Sequence, residues 1–156
     1  MKALVAYFSP TGTTRAKAKE LAADIDGDLF EISPVRPYSA SDLDWTNPQS
    51  RSTIEMKRNS SVLPEVAETA DLSGYDTLFL GYPIWWNRAP RIIESFLKQE
   101  DLHQIEVIPF ATSGGSGIRN SQNELEKAFP DVRFGQGKLL NGHLSASQLE
   151  TWADQR

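Results

Sequence analysis

The stretch Ala3-Leu4-Val5-Ala6-Tyr7-Phe8-Ser9-Pro10-Thr11-Gly12-Thr13-Thr14 decides the fold of this chain. Its first half, Ala3 to Phe8, is an apolar run typical of a strand that is buried on both faces. Its second half carries four hydroxyl side chains and one glycine, and a helical pattern begins near Thr13. A strand–turn–helix junction of this kind directs backbone N–H groups and the positive end of a helix dipole at one point. The motif therefore predicts a cradle for a phosphate monoester that requires no lysine or arginine.

Two further polar turns also follow apolar runs. We call residues 8–14 the hydroxyl turn, Gly81-Tyr82-Pro83-Ile84-Trp85-Trp86-Asn87 the tryptophan turn, and Thr112-Ser113-Gly114-Gly115-Ser116-Gly117 the glycine turn. The glycine turn alone is a weak signal, because flexible loops share its composition. At the carboxyl end of a strand and beside the other two turns, it indicates a ligand site.

Together the three turns resemble the flavodoxin family, a group of proteins that bind flavin mononucleotide (FMN), and the resemblance runs from Lys2 to about Leu140. It implies that the hydroxyl turn holds the FMN phosphate and that the other two turns enclose the isoalloxazine ring. The cofactor-binding residues expected from it are Ser9, Thr11, Gly12, Thr13, Thr14, Pro83, Ile84, Trp85, Trp86, Asn87, Thr112, Ser113, Gly114, Gly115 and Gly117. Indole is an apolar planar partner for a flavin. Neighbouring side chains point in different directions, so we expect at most one of the two tryptophans to lie flat on the ring.

Apolar runs alternate with helical patterns along the chain, which predicts a parallel sheet with helices on both faces. The predicted strands are Lys2–Phe8, Leu29–Ile32, Thr77–Tyr82, Ile105–Ala111 and Val132–Leu140. Apolar spacing predicts helices after Thr13, at about 64–70, around Ile92–Leu97 and over Ile118–Phe129, and a last short helix with a capping box from Ser147 to Glu150. The resemblance implies a flavodoxin-like three-layer doubly wound α/β sandwich with a five-stranded parallel sheet of order 2-1-3-4-5.

The segment from Ser33 to Ser61, which we call the excursion, is long and polar for a connection in a compact domain. It contains three prolines, many Ser, Thr and Asn residues, and the aromatic residues Tyr38 and Trp45. One interpretation is a solvated loop before the second helix. The other is a lid in which Trp45 or Tyr38 covers a ligand.

Length and composition limit the remaining possibilities. A chain of 156 residues predicts a single domain over 1–156. The absence of cysteine excludes disulfides and thiolate chemistry, so redox chemistry would reside on a cofactor. A formal net charge of −5 argues against nucleic acid as a partner. No run approaches the roughly 20 apolar residues of a membrane span. With no signal-peptide pattern after Met1, we expect a cytoplasmic protein.

Other residues of possible chemical interest receive weaker predictions. His103 and His143 lack ligand partners in the sequence, so we predict no metal site. Arg88 and Arg91 fit either an acidic substrate or a solvated helix face, and Glu65, Glu68 and Asp71 fit an exposed helix face or a surface that docks a redox partner. No residue is predicted to be catalytic.

Other classes of protein with alternating strands and helices require residues that this chain lacks. A response-regulator receiver needs aspartates at strand ends, a low-molecular-weight tyrosine phosphatase needs a cysteine, and neither nucleotide-binding glycine pattern occurs. Three functions remain open. The leading one, favoured by the short chain, is an FMN protein that carries electrons between redox protein partners. The second is an FMN-dependent reductase that uses NAD(P)H and a quinone or another small acceptor, and the third is a non-catalytic domain that has lost flavin.

Overall fold

The computed structural model describes residues 1–58 and 63–154. Its strands are β1 (Ala3–Tyr7), β2 (Asp28–Glu31), β3 (Thr77–Pro83), β4 (Glu106–Thr112), β5 (Arg133–Phe134) and β6 (Lys138–Leu139). They form a parallel sheet in the order β2-β1-β3-β4-β5, with β6 also paired to β4. The two most apolar strands, β1 and β3, lie inside the sheet. The predicted sheet order is confirmed.

The fifth position of the sheet is shared by two short strands. β5 and β6 both run parallel to β4, pairing with its beginning and its end. Residues 135–137 separate them, and glycines at two of these three positions weaken a strand interior. The predicted strand Val132–Leu140 is therefore interrupted at its glycines.

Helices cover both faces of the sheet. They are α1 (Thr13–Ile25), α2 (Arg51–Thr53), which continues as a π-helical segment (Ile54–Arg58), α3 (Arg91–Gln99), α4 (Arg119–Ala128) and α5 (Ala146–Ala153). Because strand side chains alternate between faces, Val5 and Phe79 pack with α1 and α5, whereas Leu80 packs with α3 on the other face. Each fully buried side chain of this size contributes about 1.5–3 kcal/mol. This arrangement gives the predicted three layers.

The predicted helix at 64–70 is wrong. This segment is extended, and its Val66 forms an isolated antiparallel bridge with Pro34. Val35 N–H donates to the Glu65 carbonyl at 2.9 Å, and Ala67 N–H donates to the Ser33 carbonyl at 2.8 Å. These bonds with the start of the excursion replace the helical ones. The three acidic residues predicted to lie on that helix are exposed, but they belong to a helix-free segment.

The capping box of the last helix lies two residues earlier than predicted. Ser145 Oγ accepts from Gln148 N–H at 3.2 Å, and Gln148 Oε1 accepts from Ser145 N–H at 2.9 Å. This reciprocal pair satisfies the first turn of α5. The predicted pair, Ser147 and Glu150, therefore lies inside the helix.

Gly81 near the end of β3 is required by packing. A Cβ at this position would overlap the ring of Phe110 on β4, which is fully buried. The ring thus occupies the space directly beside the backbone that leads into the tryptophan turn. Within the described ranges, no helix has the length and apolar character needed to cross a membrane.

Candidate functional site

The hydroxyl turn is organised by Ser9. Its Oγ accepts from the N–H of Gly12 at 3.1 Å and from the N–H of Arg15 at 3.0 Å. Gly12 precedes α1 with a φ of 95°, in the left-handed region that favours glycine. Two accepted bonds use both lone pairs of the Ser9 hydroxyl, so only its proton is left for a ligand. Ser9 therefore shapes the turn in addition to any contact with phosphate.

The remaining hydroxyls of this turn divide into two groups. Thr11 and Thr13 are exposed at the mouth of the turn. Thr14 is 1% exposed, and its Oγ1 lies 2.8 Å from Thr112 Oγ1 in the glycine turn. The family resemblance implies that all three bind the cofactor. In the structure, Thr14 connects two of the predicted turns.

The start of α1 provides an anion-binding geometry. Thr13 and Thr14 belong to the first helical turn, and N–H groups in a first turn have no acceptor within the helix. The first turn of this 13-residue helix carries no acidic residue, so nothing in it opposes the positive end of the dipole. These features fit a phosphate group.

The tryptophan turn is a tight hairpin-like loop. Trp85 and Arg88 exchange two backbone hydrogen bonds, each of 2.9 Å. Between them Trp86 has a φ of 49° and Asn87 a φ of 63°, so both central residues are left-handed, as in a type I′ turn. Asparagine tolerates this region, but for tryptophan it is uncommon. The turn adopts this conformation with no glycine after Gly81.

The tryptophan turn is tied to the glycine turn on one side. Ile84 N–H donates to the carbonyl of Thr112 at 2.9 Å. Asn120 at the start of α4 donates through Nδ2 to the carbonyl of Asn87 at 2.8 Å. No local sequence pattern predicts this role of Asn120, because its side chain bonds to a residue 33 positions away.

The two tryptophans have different surroundings. Trp85 packs edge-on against Phe8 and Tyr38, with ring centroids 5.7 Å and 5.6 Å away. Both tryptophans are half-buried, and the centre of the Trp86 ring lies 5.4 Å from the Nζ of Lys57. Trp85 thus packs in an aromatic cluster, whereas Trp86 lies beside a lysine.

The glycine turn has glycines that its own packing does not require. A Cβ at Gly114, Gly115 or Gly117 would meet no atom within 4 Å, and none of the three has a positive φ. Ser113 holds the turn, since its Oγ accepts from Gly115 N–H at 3.0 Å and its N–H donates to Asn141 Oδ1 at 3.0 Å. The open space fits a turn whose backbone lies against a flat ligand.

The described part of the excursion, residues 33–58, packs against the site. Tyr38 O–H donates to Glu55 Oε1 at 2.5 Å, and Arg51 Nε donates to Glu55 Oε2 at 2.9 Å. The guanidinium of Arg51 also lies 3.8 Å from the centre of the Tyr38 ring. Burial, followed by the hydrogen bond to Glu55, raises the pKa of Tyr38 above its usual value. Tyr38 therefore stays a neutral donor that anchors the excursion beside Trp85.

Two cavities lie beside the aromatic cluster of Phe8, Tyr38 and Trp85. One of about 230 Å³ is bounded by the excursion and the tryptophan turn. Another of about 230 Å³ lies between the hydroxyl turn and the start of the excursion. A larger cavity of about 570 Å³ lies near Tyr75 and His103, before the amino ends of β3 and β4. It contains none of the predicted cofactor-binding residues. We place the site at the three turns because the ligand-binding groups converge there.

The weaker candidates are placed as follows. Arg88 pairs with Glu124 at 2.5 Å. Arg91 is 5% exposed and pairs with Glu94 at 3.1 Å, so the solvated helix face suggested for it is wrong. His103 and His143 are exposed. In the described part of the chain, no cluster of His, Asp and Glu side chains could hold a metal ion.

Comparisons with known proteins agree with this geometry. The chain matches the Flavodoxin family over residues 2–156. A proposed flavoprotein from Bacteroides eggerthii is 45% identical, with a TM-score of 0.94 over 98% of this chain and 96% of that one. Another from Bacteroides uniformis is 46% identical, with a TM-score of 0.92 over 99% and 98%. No curated protein matches.

A more distant structure shares the fold. A flavoprotein from Lactobacillus acidophilus, solved in complex with FMN, is 21% identical, with a TM-score of 0.78 over 98% of this chain and 99% of that one. The fold and the three turns define a doubly wound α/β protein with a nucleotide-binding edge. The chain belongs to the flavodoxin family.

FMN is the cofactor that family membership assigns, and the residues present fit it. The first turn of α1 offers uncompensated N–H groups to a phosphate. The tryptophan turn offers indole surface, and the glycine turn offers open space beside its backbone. When bound, FMN supplies the redox chemistry. The residues of the three turns would bind and orient it.

Proposed function

We propose that this protein holds FMN at the three turns and uses it to reduce a small acceptor with electrons from NAD(P)H. One observation supports this choice over a pure carrier. The excursion packs against the tryptophan turn, and a cleft of about 230 Å³ that is open to solvent lies between them. Small molecules bind in concave, mostly apolar sites, and this cleft has that character.

The contacts around Tyr38 support the excursion as a permanent wall of this site. Its hydroxyl bond to Glu55 and its edge-on packing on Trp85 connect the excursion to the tryptophan turn. Ser52 N–H also donates to the carbonyl of Asp42 at 3.0 Å and closes the loop between them. A wall held by such contacts keeps its shape without a ligand.

A second candidate is an electron carrier that docks redox protein partners, the function favoured by the short chain. The glycine turn supports the carrier function. Its residues Gly114, Gly115 and Gly117 are exposed, and the space beside them is open. A flavin edge at this position would be accessible to a partner. The redox partners and the cytoplasmic location both stay predictions.

Steady-state kinetics distinguishes these candidates. Purified protein loaded with FMN is mixed with NADH or NADPH and a quinone, without any added reductase, and nicotinamide oxidation is followed. The reductase proposal predicts rapid turnover that depends on the quinone. A yellow protein that turns over only when a separate reductase is added would establish the carrier. A folded protein that takes up no FMN would establish the third possibility, a domain that has lost flavin.

A further inference from the structure

The glycine turn is held from outside by the side chain of Asn141. Asn141 Oδ1 accepts from Ser113 N–H at 3.0 Å, and Asn141 Nδ2 donates to the Ser113 carbonyl at 2.8 Å. One side-chain amide thus pairs with both backbone groups of one residue, as a neighbouring strand would. Asn141 is exposed, so these two bonds, and not packing in the core, define its contact with the turn.

Ser113 connects Asn141 to the rest of the glycine turn. Its Oγ accepts from Gly115 N–H at 3.0 Å and from Ser116 N–H at 2.7 Å. Together with the bonds to Asn141, these contacts engage the N–H, the carbonyl and both hydroxyl lone pairs of Ser113. Packing does not fix the three glycines of the turn, since a Cβ on any of them would meet no atom within 4 Å. The conformation of the turn therefore depends on Ser113, and the orientation of Ser113 depends on Asn141.

The segment that carries Asn141 is anchored on both sides. Leu140 before it is 1% exposed, and its N–H donates to the carbonyl of Ala111 on β4 at 2.8 Å. The carbonyl of Gly142 after it accepts from Lys17 Nζ on α1. Asn141 thus lies between the sheet and the helix that begins at the hydroxyl turn, and its backbone is a fixed support for the amide.

We propose that Asn141 is a positioning residue for the flavin ring, because it holds the glycine turn in the shape that receives the ring. This inference rests on the FMN site proposed above and adds to it a residue that lies outside the three turns. A turn that is ordered before binding loses little conformational freedom when the ring arrives. Without the two amide bonds, binding would have to order the turn, and FMN affinity would fall.

The two bonds require an amide at this position. The side chain must accept from the Ser113 N–H and donate to the Ser113 carbonyl. Asparagine does both, whereas aspartate accepts but cannot donate when it is ionised. Its second oxygen would face the carbonyl oxygen and repel it. Asn141→Ala therefore removes the contact, and Asn141→Asp replaces half of it with repulsion.

Titration of FMN into the flavin-free parent and both variants measures the effect on binding. The loss of two hydrogen bonds predicts that Asn141→Ala binds FMN roughly five- to fiftyfold more weakly. Asn141→Asp should lose at least as much affinity at neutral pH. At saturating FMN, the visible absorption bands of the bound flavin should lie closer to those of free FMN in both variants than in the parent, because the ring is held less firmly.

Urea unfolding of the flavin-free proteins separates positioning from a general structural role. The contact is exposed and lies in a turn, so the parent and Asn141→Ala should unfold at similar urea concentrations. Asn123→Ala, at an exposed asparagine of α4, is the matched control and should equal the parent in FMN affinity, flavin spectrum and urea midpoint. A lower urea midpoint for Asn141→Ala with unchanged FMN affinity and flavin spectrum would overturn the proposal.

Ser113→Ala tests the connection between Asn141 and the turn. This substitution removes the hydroxyl that accepts from Gly115 and Ser116 and keeps the backbone groups that pair with Asn141. If Asn141 acts through Ser113, Asn141→Ala should weaken FMN binding less in the Ser113→Ala background than in the parent. An equal loss in both backgrounds would contradict the proposal.

The outcomes also separate this inference from the proposed function. A parent that binds FMN and oxidises NAD(P)H with a quinone, yet whose FMN affinity ignores both Asn141 variants, retains the function and loses the inference. If FMN affinity follows the variants while nicotinamide is not oxidised, Asn141 keeps its role and the reductase function is lost. A folded parent that takes up no FMN would overturn both.

Discussion

Thr14 Oγ1 and Thr112 Oγ1 form a buried hydrogen bond of 2.8 Å between the hydroxyl turn and the glycine turn. Thr14 belongs to the first turn of α1, and Thr112 ends β4. Because β3 lies between β1 and β4 in the sheet, the bond connects two turns that are not adjacent. Both hydroxyls are therefore part of the scaffold that brings the candidate site together.

This pair predicts a coupled effect on stability. Thr14→Val or Thr112→Val alone leaves the partner hydroxyl buried without its bond, at a cost of about 1–3 kcal/mol. The double variant removes both hydroxyls and should be more stable than the sum of the two single losses implies. Urea unfolding of the FMN-free parent, the two single variants and the double variant measures their free energies of unfolding, which together form a double-mutant cycle. Thr13→Val, at an exposed position, is the control and should change stability by less than about 0.5 kcal/mol. Strict additivity would show that the two hydroxyls do not interact.

The open space at the glycine turn predicts a separation of binding from stability. Gly115→Ala adds a methyl group that meets no protein atom within 4 Å. The free energy of unfolding should stay within about 0.5 kcal/mol of the parent. FMN affinity should fall, because the methyl group occupies the space assigned to the ring. Fluorescence titration with FMN measures this, and an unchanged affinity would remove the glycine turn from the site.

The left-handed conformation of Asn87 predicts opposite effects for two small substitutions. Asn87→Ala should destabilise the protein by about 1 kcal/mol, since a Cβ without a polar group disfavours this region. Asn87→Gly should be neutral or stabilising, because glycine is preferred at this position of a type I′ turn. Urea unfolding of both variants is the measurement. Equal losses for alanine and glycine would mean that the turn has another conformation.

Tyr38 predicts a loss of stability in alkaline solution. Its pKa is raised mainly by burial, so between the usual value of about 10 and the higher value of the folded protein the phenol ionises only in the unfolded chain. The contribution of Tyr38 is therefore complete below about pH 10 and is lost as pH rises through the folded pKa.

Tyr38→Phe isolates this effect from the other tyrosines. The variant loses the bond to Glu55 and should be less stable than the parent at neutral pH by about 1–3 kcal/mol. The difference should shrink as pH rises above about 10. Urea unfolding across this range measures it. A difference that is constant with pH would show that Tyr38 titrates normally.

The sheet could be predicted from the sequence because its signals are local. The apolar runs at β1, β3 and β4 are long, and each stands next to a polar turn. The order of the strands came from the family resemblance. The last strand was predicted too long, since Gly135 and Gly137 interrupt a run that is otherwise strand-like.

The excursion could not be predicted in the same way because distant contacts determine it. Ser33 and Val35 take their backbone partners from residues 65–67, which removes the helix expected there. Tyr38 is fixed by Glu55, 17 residues away. The Ser50 side chain that accepts from Thr53 N–H marks the start of α2, a short signal within a polar stretch.

The most direct test of the central claim is a titration of FMN into the purified, flavin-free protein, followed by absorbance and flavin fluorescence. We predict saturable binding of one FMN per chain, and weaker binding by Thr11→Val, whose hydroxyl lies exposed at the mouth of the hydroxyl turn. A chain with the circular dichroism of a folded α/β protein that binds no FMN, or that binds it equally well after this substitution, would contradict the account.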